Sequence, residues 1–148
     1  TQGIASYANS IDQLILCVKN FYQKCQYEVI SVIGTSAGGS TAIILGEALG
    51  SRSTICFSGR LPTVSKLYGS SEGANRMAQL LNKTICKNTL IVYPDKNFED
   101  SLNAKKLSQV CGAKLMGVEG LSDHNTLHYL HTINQLKPIF NETRFLND

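Results

Sequence analysis

The residues able to do chemistry in this chain follow one another in a telling order. Ser36 sits in Gly34-Thr35-Ser36-Ala37-Gly38, Asp95 and Asp100 lie in one polar loop, and His124 follows Gly120-Leu121-Ser122-Asp123. A serine hydroxyl is a weak nucleophile until a base takes its proton, and imidazole suits that task near neutral pH. A carboxylate completes the set by holding the imidazole in one tautomer and stabilising the imidazolium. The G-x-S-x-G spacing fits a tight strand-to-helix corner, where the hydroxyl is exposed and the amide of Ala37 points from a helix N-terminus at a developing oxyanion. Gly34 and Gly38 are expected to be required there, because a Cβ at either position would crowd the corner.

Such a corner needs a strand before it and a helix after it. Val29-Ile30-Ser31-Val32-Ile33 is dominated by β-branched apolar residues and predicts a buried, central strand, while Ala42 to Leu49 predicts a buried helix that Gly50 terminates. Upstream, Ser10-Ile11-Asp12-Gln13 reads as a capping box for an amphipathic helix to about Lys24, packed on the sheet through Ile11, Leu14, Ile15, Val18 and Phe21 or Tyr22. Downstream, strands are expected at Ser53–Ser58, Thr89–Tyr93 and Ala113–Glu119. Helices are expected at Ala74–Asn82, from an Asp100 cap to about Cys111, and from Asn125 to Lys137, where Pro138 would halt it. Arg60 to Glu72 is turn-rich and reads as a loop or small lid, and the polar tail after Phe140 as frayed.

Strands alternating with helices at this spacing predict an α/β fold, a mostly parallel sheet flanked by helices on both faces. Ligands of such sheets bind beyond the carboxyl ends of the strands. Ser36, the two aspartates and His124 all fall at those ends. A second G-x-S-x-G, Gly69-Ser70-Ser71-Glu72-Gly73, follows a poor central strand and would set Glu72 beside the nucleophile; it reads as a loop leading into a helix.

The order Ser, Asp, His on successive strand ends, with the elbow at Gly34–Gly38 and glycine-then-histidine spacing at Gly120–His124, resembles the α/β-hydrolase family. Val29 to Ala48 looks like its nucleophile strand, elbow and helix, Leu90 to Leu107 like its acid-bearing segment, and Lys114 to Leu130 like its histidine segment. The resemblance implies Ser36 as nucleophile, His124 as general base, Ala37 as an oxyanion donor, and Asp100 ahead of Asp95 as the acid. In many relatives the acid stands where this chain has Asn97. The family's first strands, one of whose loops gives a second oxyanion amide, have no counterpart ahead of the first helix. Residues 1–148 are therefore expected to form one α/β-hydrolase-like domain, the C-terminal part of a longer one. The implied activity is a serine esterase, thioesterase or deacylase acting on a small acyl ester. The contrary expectation is a degenerate or truncated hydrolase whose open sheet edge docks another copy or the remainder of a longer chain.

Bulk properties fit these expectations. With 148 residues, 43% hydrophobic and 17% charged, the chain is long enough to bury a core without disulfide or metal staples. Its net charge of +3 is scattered, which disfavours a nucleic-acid groove. Cys17, Cys25, Cys56, Cys86 and Cys111 form no C-x-x-C pair and read as reduced, mostly packed thiols of a cytoplasmic protein. No membrane span or secretory signal is evident. No cofactor is expected: the glycine-rich turn lacks a P-loop lysine and dinucleotide spacing. His128 and His131 read as helix residues rather than metal ligands. A patatin-like Ser-Asp dyad is disfavoured because no aspartate here precedes glycine.

Overall fold

The computed structural model describes residues 10–63 and 70–143. Residues 64–69 of the expected loop or lid, residues 144–148 of the expected frayed tail, and the first nine residues lie outside the described residues. Among the described residues, helices and strands alternate as far as β4 and two helices follow: α1 (Ile11–Cys25), β1 (Ser31–Thr35), α2 (Ala37–Ala48), β2 (Ser53–Phe57), α3 (Ser71–Leu81), β3 (Thr89–Pro94), α4 (Phe98–Cys111), β4 (Lys114–Val118), α5 (Thr126–Thr132) and α6 (Leu136–Glu142).

The four strands are all parallel and lie in chain order, β1-β2-β3-β4. Register sets the two faces. Cys56 and Ile91 point to a core shared with Ile43 and Ile44 of α2, Met77 and Leu81 of α3, and Leu107 of α4. Ile55, Phe57, Leu90 and Val92 point the other way, onto Leu130 of α5 and Ile139 of α6. Helices thus cover both faces, as the alternation predicts.

The first strand differs from expectation in place and in setting. It starts at Ser31 rather than Val29 and runs through Gly34 and Thr35, so the corner begins at the strand's last residue. Among the described residues its only strand partner is β2, which makes β1 an edge rather than a central strand. Ile33 is paired in register with Ile55, yet 42% of its surface is exposed while Ile55 is fully buried. β-branched composition signals a pleated, packed surface but not how many strands flank it. All five residues of β2 are buried, and β2, with β3, takes the interior place that composition assigns to β1.

Two helices also depart from expectation. The Ser10 side chain does accept from the Gln13 amide, so α1 is capped as expected. It packs mainly on α2 and α3, and of the two aromatic candidates Tyr22 is half-buried whereas Phe21 is exposed. A bidentate pair from Arg76 to Asp12, at 2.7 and 2.9 Å, ties it to α3, and that bond holds the Asp12 carboxyl below its usual range. The single C-terminal helix expected from Asn125 to Lys137 is two, separated where Asn134 adopts a left-handed φ of 57°. Pro138 lies inside α6 rather than ending α5; it occupies the first turn, where an amide has no intrahelical acceptor to lose. Among the described residues, no helix is long and apolar enough to cross a membrane.

Candidate active site

At the carboxyl ends of the strands, Ser36, His124 and Asp100 form one hydrogen-bonded chain. His124 Nε2 lies 2.9 Å from Ser36 Oγ, and His124 Nδ1 lies 2.9 and 2.8 Å from Asp100 Oδ1 and Oδ2. An imidazole protonated at Nδ1 donates to the carboxylate and leaves Nε2 to accept the serine hydroxyl. The carboxylate is 1% exposed and the histidine side chain 31%, so one end of the chain is dry and the other opens to solvent.

Each member is placed by a local rule. Ser36 occupies the corner between β1 and α2 at φ 52° and ψ −123°, left-handed backbone that few non-glycine residues adopt. Three backbone bonds fix it: its amide donates to Phe57 O at 2.9 Å, and its carbonyl accepts from Gly39 at 3.0 Å and Arg60 at 3.1 Å. The Ala37 amide opens α2 directly beside it. A Cβ on Gly34 would meet the Gly38 carbonyl and Ala42 Cβ, so that glycine is required as expected. Gly38 is not, since a Cβ there would meet nothing within 4 Å. The second close approach is made by Gly39, one residue on, where a Cβ would stand 2.6 Å from Cys56 Sγ and 2.8 Å from Gly59 Cα. Burial in this contact pushes the Cys56 thiol up to about 12.

Asp100 is not the helix cap that its position after the loop suggests. Asn97 caps α4, its side chain accepting from the Asp100 amide at 3.1 Å, which places Asp100 in the first turn with its carboxylate turned inward. The Asn97 side chain also donates to Ser122 O at 3.1 Å, and the Lys96 amide to Leu121 O at 2.9 Å, so the acid-bearing and histidine-bearing loops are tied together. Asp95, the alternative acid, takes no part in the hydrogen bonds of His124. Its Oδ2 faces Lys96 Nζ at 4.0 Å, and its Oδ1 is buried without a hydrogen-bond partner.

The second G-x-S-x-G lies outside the site: Ser70 caps α3, accepting from Gly73 at 3.0 Å, and Ser71 is the first helical residue. His128 and His131 are exposed on α5, apart from the His124 chain. A polar cleft of about 280 Å³ lined by Glu47, Lys87 and Thr89 opens at the opposite, amino end of the strands. Residue order gives no role to Gly39 or to the buried hydroxyls of Ser58 and Thr126, and it marks Asn97 only as the residue at the usual acid position, not as a cap. Asn97 alone carries a local signal, an asparagine three residues ahead of the amide it caps.

Comparison with known proteins agrees with this architecture. No protein-family model matches the sequence, and no curated protein matches it. The fold is similar to the crystal structure of MGS-MChE2, an alpha/beta hydrolase enzyme from the metagenome of sediments from the lagoon of Mar Chica, Morocco, with a TM-score of 0.65. The two share 18% sequence identity over 90% of this chain and 70% of that one. The chain therefore has an α/β-hydrolase fold.

Proposed function

We propose that this chain is a serine-dependent hydrolase cleaving a small carboxylic ester or thioester. The observation that carries the reading is the Ser36–His124–Asp100 chain, with 2.9 Å from Oγ to Nε2 and 2.8 Å from Nδ1 to carboxylate. In this reading Ser36 Oγ attacks the acyl carbonyl as His124 Nε2 takes its proton, and Asp100 stabilises the imidazolium. The Ala37 amide, at the positive end of α2, bonds the oxyanion as the carbonyl oxygen gains charge. His124 then protonates the leaving alcohol or thiol, and the same base activates water to release the acid from Ser36.

A fluorophosphonate probe with mass-spectrometric mapping tests this. The expected adduct is on Ser36, abolished in His124→Ala. Asp100→Asn should slow labelling by at least about 10²-fold, since it removes the group that holds the tautomer. Asp95→Asn should stay within about twofold, an unlinked carboxylate having no such role. A label on Ser71, or none on Ser36, overturns the reading.

A second reading, an interaction module, is favoured by one observation. Among the described residues β1 is an edge strand, with its Ile33 exposed by 42% and Val29, just ahead of it, by 48%. An edge of this kind pairs readily with another strand, whether of a second copy or of a longer chain.

A further inference from the structure

Three segments carry the Ser36–His124–Asp100 chain, and one buried residue beyond it, together with the residue before it, bonds to all of them. Ser58 follows β2 and is itself held at a left-handed φ of 46°. Its amide donates to Val92 O of β3 at 2.8 Å, extending the pairing with the strand that leads to Asp100. Its peptide neighbour Phe57 accepts the Ser36 amide at 2.9 Å. Its hydroxyl lies 2.8 Å from Thr126 Oγ1, and the Thr126 amide donates to His124 O at 2.8 Å. Both side chains are dry, with Ser58 at 2% and Thr126 at 1% exposure.

Among the described residues, backbone and side-chain bonds to the acid-bearing loop tie the His124 loop on its N-terminal side, through Leu121 and Ser122. After His124 the chain enters α5, a seven-residue helix with no side-chain cap. A short helix gives little rigidity of its own, so a fixed point is needed where it starts. A buried hydroxyl that loses its partner keeps the full cost of desolvation, which makes the Ser58–Thr126 contact stringent in geometry.

We propose that the Ser58–Thr126 hydroxyl bridge positions His124 against Ser36, locking the C-terminal side of the histidine loop to the end of β2. The inference rests on His124 being the base of the proposed hydrolase. Neither hydroxyl touches substrate or a reacting atom; both are positioning residues, acting through the backbone of residues 124–126.

The test compares Thr126→Val, which keeps shape and loses the hydroxyl, with Thr126→Ser, which keeps the hydroxyl. Ser58→Ala removes the other half of the bridge. Ser53→Ala is the control, because Ser53 Oγ is equally buried and has no hydrogen-bond partner. Two readouts are taken: the ring ¹⁵N chemical shifts of His124 and the rate at which a fluorophosphonate labels Ser36. Thr126→Val and Ser58→Ala are expected to move the ring shifts and slow labelling about tenfold, in keeping with the steep dependence of rate on alignment. Thr126→Ser should restore both, and Ser53→Ala should change neither. Wild-type ring shifts in Thr126→Val or Ser58→Ala, or an equal change in Ser53→Ala, overturn the inference. If the wild-type chain takes no label, the hydrolase reading fails by itself, and the ring shifts decide whether the bridge places His124.

Discussion

Ser36 holds a backbone conformation that costs a non-glycine residue about 1–3 kcal/mol. The surroundings offset this by overdetermining it: three backbone hydrogen bonds converge on the one residue, and the helix behind it is seated tightly on the end of β2. That seating depends on Gly39 rather than on the motif's last glycine. Gly39→Ala would drive a Cβ into Cys56 Sγ and the Gly59 backbone, and overpacking of this kind costs about 1–3 kcal/mol. Gly38→Ala meets open space within a helical turn and should be neutral or stabilising by up to about 1 kcal/mol. Urea midpoints of the two variants check the contrast directly; equal destabilisation would show that the corner is not seated as described.

At the scale of elements, the site is an arrangement of ends: the N-terminus of α2, the first turn of α4 and the loop before α5. The α4 end is set by Asn97, which accepts the Asp100 amide and donates to Ser122 O across the histidine loop. Asn97→Ala removes both bonds. It should cost about 1 kcal/mol, as loss of an N-cap does, and also slow fluorophosphonate labelling of Ser36 because Asp100 loses its fixed approach to His124. Asn97→Asp keeps the cap acceptor but not the bond to Ser122 O. Its urea midpoint should therefore stay near wild type, separating the two roles of the residue. The same contacts show what is legible in residue order. Strand and helix order and the serine corner follow from local pattern, because each is written in a run of neighbouring residues; the pairing of His124 with Asp100 does not, since the two lie 24 residues apart and residue order leaves Asp95 and Asp100 both open. The Asn97 cap was masked by an aspartate three positions later that is equally able to cap. The break between α5 and α6 depends on a left-handed asparagine with no glycine to mark it, and the Ser58–Thr126 contact joins residues 68 apart in sequence. No local pattern encodes such a meeting.

For the whole molecule, the decisive feature is an asymmetry between the two sides of β1. Its inner neighbour β2 is buried throughout, whereas its outer side has no strand among the described residues. Ile33 and Val29 leave apolar surface there, and on α1 Leu16 and Phe21 add 59% and 62% exposed side chains. Unpaired strand amides and carbonyls beside apolar side chains favour addition of another strand, the hazard that natural edges suppress with charge or proline. This edge carries neither within Ser31–Thr35. The protein is therefore expected to self-associate with rising concentration, seen as a mass above that of the 16.2 kDa chain in light scattering. Ile33→Lys places a charge on that surface and should return the mass to the monomer. It should also leave the Ser36 corner intact, because Ile33 lies on the face opposite the Gly34 contact with α2. A monomer at all concentrations in the unaltered chain would remove the edge as a pairing site. Self-association that persists undiminished in Ile33→Lys would move the contact elsewhere, with the exposed face of α1 as the next surface to alter.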